Sequence, residues 1–384
     1  MFIKYLLYFL WVPFWYIQFL IPRNKRLWVF GAWFGKEFSD NSKALFDHIR
    51  INHPEIKAIW LTHSKEVCDN VDGAIRINSL KGILVSLKAG VVIYSSGISD
   101  VNRFFINGAF RVQCWHGAPM KKIGMDDNFH FQPLKNKIIK LLFPFNYQLN
   151  QSVVVSTAKI FNDKLSSAFD TKNIWTTGYP RNDIFFSTHT NPLIQEWNLK
   201  YQNPVKIMYL PTFRDHDKDF NPFKKYKFPI VEFEKYLDVS NSILITNAHF
   251  VMNKVFQGNT FKRIINLKRA FGQELNFILK DVDILITDYS GVYFDYLLLK
   301  KPIILAPFDL NEYEKNSRQL NFNYETEIVG SKAENWEEIL NILKTRNYQK
   351  PDWDKVKKFN FYHDGGSSER LTKKIIHSVD HTTG

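Results

Sequence analysis

The stretch CWHGAPMKKIG, Cys114 to Gly124, sets one imidazole and two ammonium groups around a Gly/Pro turn. Histidine is the residue type best suited to take a proton from a hydroxyl nucleophile near neutral pH, which makes His116 a candidate general base. Gly117 and Pro119 turn the chain behind it, bringing backbone N–H groups and Lys121 or Lys122 close enough to steer a phosphate; a solvated surface is the plainer reading of the lysines. A second constellation lies in LITDYSGVYFDY (285–296). Its apolar run stops at Asp288, and Ser290 and Gly291 stand where a helix can begin, so that a hydroxyl and the first N–H groups would meet phosphate oxygens. Simple capping by Asp288 and Ser290 competes with that reading. Asp295, a turn later, is either a surface charge or a partner that orients Ser290 or a cation. YLPTFRD (209–215) adds Thr212, Arg214 and Asp215, where Arg214 can grip a phosphate with its planar fork or pair with Asp215. His249 closes another apolar run and could donate to an oxygen on which charge develops. Together these residue types suit transfer of a phosphate-bearing group, which depends on positioning and charge stabilisation.

The elements around these residues alternate. LWVFGAWF (27–34), KAIWLT (57–62), AGVVIYSSG (89–97), RVQCWHG (111–117), QSVVVST (151–157) and NIWTTGYPRND (173–183) read as strands, with NSKALFDHIR and SLKGILVSLK as amphipathic helices between the early ones. After a polar stretch at 188–204 come VKIMYLPTF (205–213), NSILITNAHF (241–250), VDILITDYS (282–290) and KPIILAPF (301–308). Such alternation implies parallel sheets covered on both faces, in two open α/β domains. The candidates stand where open parallel sheets bind ligands, at the carboxyl ends of strands. We expect a membrane-associating segment at 1–26, an acceptor-side Rossmann-like domain at 27–195 and a donor-binding Rossmann-like domain at 196–384, with the last helix packing back on the first domain.

Composition narrows the partners. Lys and Arg total 51 against 38 acidic residues, a net charge of +13 that favours an anionic partner. The basic residues are scattered, without the aromatic-basic module of a nucleic-acid binder, so no nucleic acid is expected. No G-x-G-x-x-G or P-loop pattern occurs, which argues against a dinucleotide cofactor. The two cysteines, Cys68 and Cys114, have no metal-ligand spacing and fit a reducing cytosolic location. YLLYFLWVPFWYIQFLIP (5–22) carries eighteen uncharged residues, eight of them aromatic, with Arg23, Lys25 and Arg26 behind it. Pro13 and Gln18 interrupt it and no cleavage site follows. It reads as an interfacial anchor at the cytoplasmic membrane face, ahead of a core-packing helix or a true span.

WHGAPMKKIGMD, TGYPRND, YLPTFRD, LITDYSGVYFDYLLLKKPIIL and HDGGSSERL resemble, in order and spacing, the CDP-glycerol glycerophosphotransferase family of teichoic-acid and related polymer synthesis. The resemblance runs from about Leu27 to about Ile376. It implies a glycosyltransferase-B fold of two Rossmann-like domains facing a cleft. It also implies membrane-associated cytosolic enzymes that move a polyol phosphate from a CDP-activated donor to a lipid-linked saccharide, releasing CMP. His116 then matches the family's proposed base and His249 its second essential histidine. Arg214, Asp288, Ser290 and Asp295 match donor-site blocks, with Thr212, Asp215 and Gly291 beside them, and Ser367 and Arg370 match the closing block. Two departures stand out: Ala118 where the family usually has threonine, and Gly291 where a second serine is common. No metal site or cofactor is expected, although a divalent ion could accompany the donor phosphates. The chain's length favours adding a single unit. A CDP-ribitol donor, a chain-extending polymerase and a nucleotide-sugar glycosyltransferase are the alternatives.

Overall fold

Runs of Val, Ile and Trp long enough for one short strand each, separated by turns and amphipathic helices, form two parallel sheets in the computed structural model. It describes residues 2–127, 142–143, 145, 150–212, 214, 217, 220–246, 261–267 and 271–381, with the side chains from residue 8 onward. The first sheet contains β1 (Asn24–Gly31), β2 (Lys57–Thr62), β3 (Ala74–Arg76), β4 (Ala89–Tyr94), β5 (Phe110–Gln113), β6 (Val153–Ser156) and β7 (Ile174–Thr176). Their order is β3-β2-β1-β4-β5-β6-β7. The second contains β8 (Val205–Leu210), β9 (Ser242–Thr246), β10 (Ile264–Asn266), β11 (Ile284–Thr287), β12 (Ile303–Leu305) and β13 (Ser331–Lys332), in the order β10-β9-β8-β11-β12-β13. β4 is buried along its whole length because helices cover both faces, which is why AGVVIY reads as an unbroken apolar run. β3, β10 and β13, two or three residues each, are too short to leave a periodic signal.

Contacts divide the chain into two units: Met1–His116 with Ile123–Asp183 and Phe361–Gly384, and Gly117–Lys122 with Ile184–Asn360. The change of unit thus falls ahead of the polar stretch expected to carry it. That stretch instead contains a helix, Pro192–Lys200, capped by Asn191 and burying Ile194 and Trp197. Strand order reverses between β1 and β4 in the first unit and between β8 and β11 in the second, and at such a switch point the loops beyond the strand ends splay apart.

The N-terminal aromatic run forms a helix, Phe2–Ile17, and a short turn, Gln18–Leu20. One side belongs to the first unit's core: Tyr8 and Trp15 are buried with Phe143 and Phe145. Gln18 Nε2 donates to Phe104 O at 2.7 Å, and Asn107 Nδ2 donates to Trp15 O at 2.8 Å. Arg23, expected in the basic flank, turns inward and donates to the carbonyls of Ser86 and Asn107. The other side leaves Phe9, Leu10, Tyr16, Ile17, Phe19 and Leu20 exposed. No helix among the described residues is long and apolar enough to cross a membrane.

Candidate functional site

In the first unit, loops following β1, β4 and β5 meet around His116. The chain leaves β5 through Trp115, whose φ of 55° places it in the left-handed region. The His116 ring then lies against two indoles, with centroids 4.0 Å from Trp115 and 5.2 Å from Trp33. Its Nδ1 is 3.4 Å from the carbonyl of Ser95, just past β4. Donation from Nδ1–H leaves the unprotonated nitrogen at Nε2, the tautomer a base requires. The backbone on either side is also held. Asn41 Nδ2 donates to Trp115 O at 2.8 Å, and Arg181 Nη1 donates to His116 O at 2.9 Å and to Asp40 Oδ1 at 3.0 Å. Asp100 secures the neighbouring strand ends by accepting from the backbone N–H groups of Phe34, Ser95 and Ser96.

Arg181 belongs to the TGYPRND turn, and the C-terminal helix, Ser367–His381, begins on that turn. Asp183 accepts from the N–H groups of Ser367 at 2.9 Å and Ser368 at 2.7 Å, so a carboxylate from elsewhere in the unit caps the helix. Gly178, at φ 82°, lies where a side chain would collide with Ser367 Oγ. Arg370 donates to Thr177 O at 3.1 Å and to both oxygens of Asp364. Ser367 and Arg370, expected at the donor site, are therefore engaged in fastening this helix to the first unit.

In the second unit, the loops beyond β8, β11 and β12 converge on Arg214. Its fork does not stand open for phosphate, as the sequence suggested. Nη2 donates to Asp288 Oδ2 at 2.9 Å and to Asp309 Oδ1 at 2.8 Å, Nε donates to Asp309 Oδ2 at 2.9 Å, and Nη1 donates to Thr212 O at 2.7 Å. The guanidinium is 2% exposed and lies over the rings of Phe220, Tyr289 and Tyr313. Burial opposes the charged arginine, but the two carboxylates outweigh it and raise its pKa; burial pushes Asp309 up, and Arg214 outweighs that and lowers it. Asp288 is equally committed, its Oδ1 accepting from the N–H groups of Thr212 and Tyr289. Around this buried ion pair, Ser290 Oγ accepts from Val292 N at 3.4 Å, a weak cap on the short Val292–Tyr296 helix. Asp295 is buried, which removes the surface-charge reading. Thr212 Oγ1 is buried without a partner.

Gly117–Lys122 is docked on the same unit. Asn321 Nδ2 donates to the carbonyls of Pro119 and Lys121, and Asn321 N donates to Met120 O. Lys121 Nζ donates to Tyr313 OH at 3.2 Å and Lys122 Nζ to Gln319 Oε1 at 2.6 Å, so both ammonium groups have protein partners. His249 and Asp215 lie outside the described residues.

The family model described as CDP-Glycerol:Poly(glycerophosphate) glycerophosphotransferase matches residues 14–377. The chain belongs to this glycerophosphotransferase family. Among curated relatives, it is 28% identical over 378 residues to the teichoic acid poly(glycerol phosphate) polymerase of Bacillus spizizenii, covering 93% of each chain. It is 26% identical over 383 residues to the teichoic acid glycerol-phosphate transferase of Staphylococcus aureus, covering 92% of this chain and 93% of the relative. With the teichoic acid glycerol-phosphate primase of Bacillus subtilis it shares 25% identity over 394 residues and 96% of each chain. The solved wall teichoic acid polymerase TagF has the same fold, at a TM-score of 0.75 with 22% identity, over 94% of this chain and 91% of that one. A putative UDP-N-acetylglucosamine 2-epimerase from Listeria monocytogenes is more distant, at 0.55 and 12% identity over 94% of this chain and 98% of that one. Two parallel α/β sheets with such glycosyltransferase-B-like neighbours agree with the fold expected from the resemblance.

For this glycerophosphotransferase, residue types alone missed the supports in each unit: Asp40, Asn41 and Arg181 around His116 in the first, and Asp309 and Tyr313 around Arg214 in the second. Arg181 had a signal, because it stands inside the TGYPRND block. Asp309 had none, since nothing in KPIILAPFDL marks one acid as the partner of an arginine 95 residues earlier.

Proposed function

We propose that this chain transfers glycerol phosphate from CDP-glycerol to a hydroxyl of a lipid-linked saccharide at the cytoplasmic face of the membrane. The carrying observation is His116 just past β5, its ring against two indoles and its Nδ1 turned to the Ser95 carbonyl, in a chain of this family. His116 Nε2 takes the acceptor's hydroxyl proton. The acceptor oxygen forms a bond to the phosphorus that carries glycerol, the bond from that phosphorus to the bridging oxygen breaks, and CMP leaves with the electron pair. Thr212 Oγ1, Ser290 and the Gly291 backbone are proposed as donor-phosphate contacts, with His249 stabilising the leaving phosphate. Arg214 and Asp288 act as the rigid platform beneath them. The exposed apolar side of the N-terminal segment supports seating at a lipid interface.

The test is CMP release and product mass when purified enzyme meets CDP-glycerol or CDP-ribitol with lipid-linked disaccharides. A single added glycerol phosphate is the expected product. His116→Ala should lower turnover by roughly 10²- to 10⁴-fold while leaving the unfolding midpoint and donor binding nearly unchanged. Near-normal turnover in that variant would remove His116 from the mechanism. Transfer of a sugar from a nucleotide sugar, with no reaction of either CDP-polyol, would overturn the function.

A further inference from the structure

The Asp40–Asn52 helix carries polar chemistry near both ends. Its first turn supplies Asp40 and Asn41, which hold Arg181 and the Trp115 carbonyl. Towards its other end, His48 meets His53, just past the helix, and Glu369 from the C-terminal helix. Nε2 of each histidine lies 2.9 Å from the same oxygen, Glu369 Oε2. The three donor atoms lie within 4.8 Å of one another, and all three residues are only partly buried, so an ion has access from solvent. None of them has a part in the proposed transfer chemistry.

The outer partner of His53 is that of a metal ligand, its Nδ1 facing Glu55 Oε1 at 3.2 Å. His48 Nδ1 instead accepts from Asn52 Nδ2 at 3.1 Å, the same nitrogen that donates to the His48 carbonyl at 3.0 Å, so zinc at His48 Nε2 requires the Asn52 amide to turn and present its oxygen to Nδ1–H. A ligating imidazole commonly gives its second N–H to a carboxylate or an amide oxygen, which fixes the tautomer and leaves Nε2 as a lone-pair donor. Lys373 Nζ pairs with the other carboxylate oxygen, Oε1, at 3.1 Å, so Glu369 offers Oε2 alone. Two imidazole nitrogens and one carboxylate oxygen form a borderline donor set that suits zinc and its neighbours over calcium or magnesium. Bonds of about 2.0–2.2 Å in a tetrahedron separate ligand atoms by about 3.3 Å, so the 2.9 Å donor pairs need to open by only about 0.4 Å.

We infer that His48, His53 and Glu369 bind a zinc-class dication that fastens the C-terminal helix to the Asp40–Asn52 helix. The fourth position takes water. Both helices reach the TGYPRND turn, one through Asn41 and Asp40 and the other through Ser367 and Ser368. The ion therefore braces the scaffold behind His116 and does not join the reaction.

The test uses the full chain, stripped with chelator and titrated with zinc sulfate against a chromophoric competitor. Cobalt chloride in parallel reports coordination through its visible d–d absorption. One zinc per chain is expected, together with a rise in the unfolding midpoint and an intense four-coordinate cobalt spectrum. His53→Gln and Glu369→Gln should each weaken zinc at least about tenfold. Glu55→Gln, which alters an exposed outer partner and leaves all three ligands in place, should weaken it by about 10- to 100-fold and decides the matter if the ligand variants fold poorly. His377→Asn/His381→Asn removes the other close histidine pair and should change nothing. Failure of the wild-type chain to bind zinc, or binding unaltered by Glu55→Gln and by whichever ligand variants fold, would reduce the cluster to a hydrogen-bonded contact. Neither outcome bears on CDP-glycerol transfer, which is measured separately.

Discussion

Arg214 spreads its guanidinium over Thr212 O, Asp288 and Asp309, and it is the only cation the described structure pairs with those two buried acids. Truncating one member of a buried ion pair leaves its partners charged and unsolvated, which typically costs about 3–5 kcal/mol. Arg214→Ala should therefore lower stability in urea denaturation by about that much, and Arg214→Lys should recover only part of it because an ammonium cannot serve both carboxylates with a planar fork. A loss below about 1 kcal/mol would contradict the geometry. The pH sign follows from Asp309. Its pKa is lowered in the fold, so its stabilising contribution is full above the ordinary carboxylate value and is lost as the pH falls through the depressed one. In the sequence Arg214 offered a grip on phosphate or a pair with the adjacent Asp215, and neither reading pointed to Asp288 or Asp309. Residue type shows capacity, and partners decide use.

At the scale of elements, two junctions are exposed to test. Gly291 opens the Val292–Tyr296 helix against the segment that follows His116, and a Cβ there would meet the Ala118 carbonyl oxygen at 2.8 Å. The clash is with backbone, so a smaller residue at 118 cannot relieve it. Gly291→Ser, which introduces the residue the resemblance led us to expect there, should cost about 1–3 kcal/mol in thermal or urea unfolding. Unchanged stability would mean that the Gly117–Lys122 segment yields easily. The second junction is the seat of the C-terminal helix. Hydrogen bonds from His53 and His48 lower the Glu369 pKa to about 2. Partial burial pulls His53 down, but Glu369 and Glu55 outweigh it and raise its pKa above the ordinary 6.5. Glu369 contributes fully above its unfolded value of 4.5 and loses its contribution as the pH falls toward about 2. His53 contributes fully below 6.5 and loses its contribution as the pH rises through its raised value. In chelator, amide protection along Ser367–His381, corrected for intrinsic exchange, should therefore be greatest between about pH 4.5 and 6.5. A flat profile would show that apolar packing alone seats the helix.

For the whole molecule, the N-terminal segment has one side buried in the first unit's core and one exposed apolar side, the side proposed to seat on lipid. Trp15 is 2% exposed and Gln18 is fully buried, so deleting residues 1–22 strips part of the first unit's core as well as the exposed apolar side. Truncation should lower the unfolding midpoint, which makes it a poor test of membrane seating. Phe19→Glu/Leu20→Glu changes two side chains that are 65% and 82% exposed and leaves the buried side intact. Those charges should release the protein from anionic vesicles in a sedimentation assay while its unfolding midpoint stays within a degree or two. Undiminished sedimentation would move the lipid contact elsewhere. The aromatic run gave no hint of this division, because nearly every position is apolar and the pattern does not distinguish a side buried in the core from an exposed one.

Strand order could be anticipated only as alternation, yet the candidates at strand ends were readable from the sequence because an apolar run that stops at a histidine or an acid marks a strand leaving the sheet. His116 after β5 and Asp288 after β11 were found that way, and the five blocks gave the family. Everything that depends on which distant residue arrives next to them was left to the tertiary structure. It assigned Arg214 to two buried acids, Ser367 and Arg370 to the first unit, and Gly117–Lys122 to the second. Local sequence determines strands and turns because backbone sterics and burial act over a few residues. Partnerships between charges are set by packing across long separations in the chain, where many acids compete for one arginine and only the folded geometry selects among them.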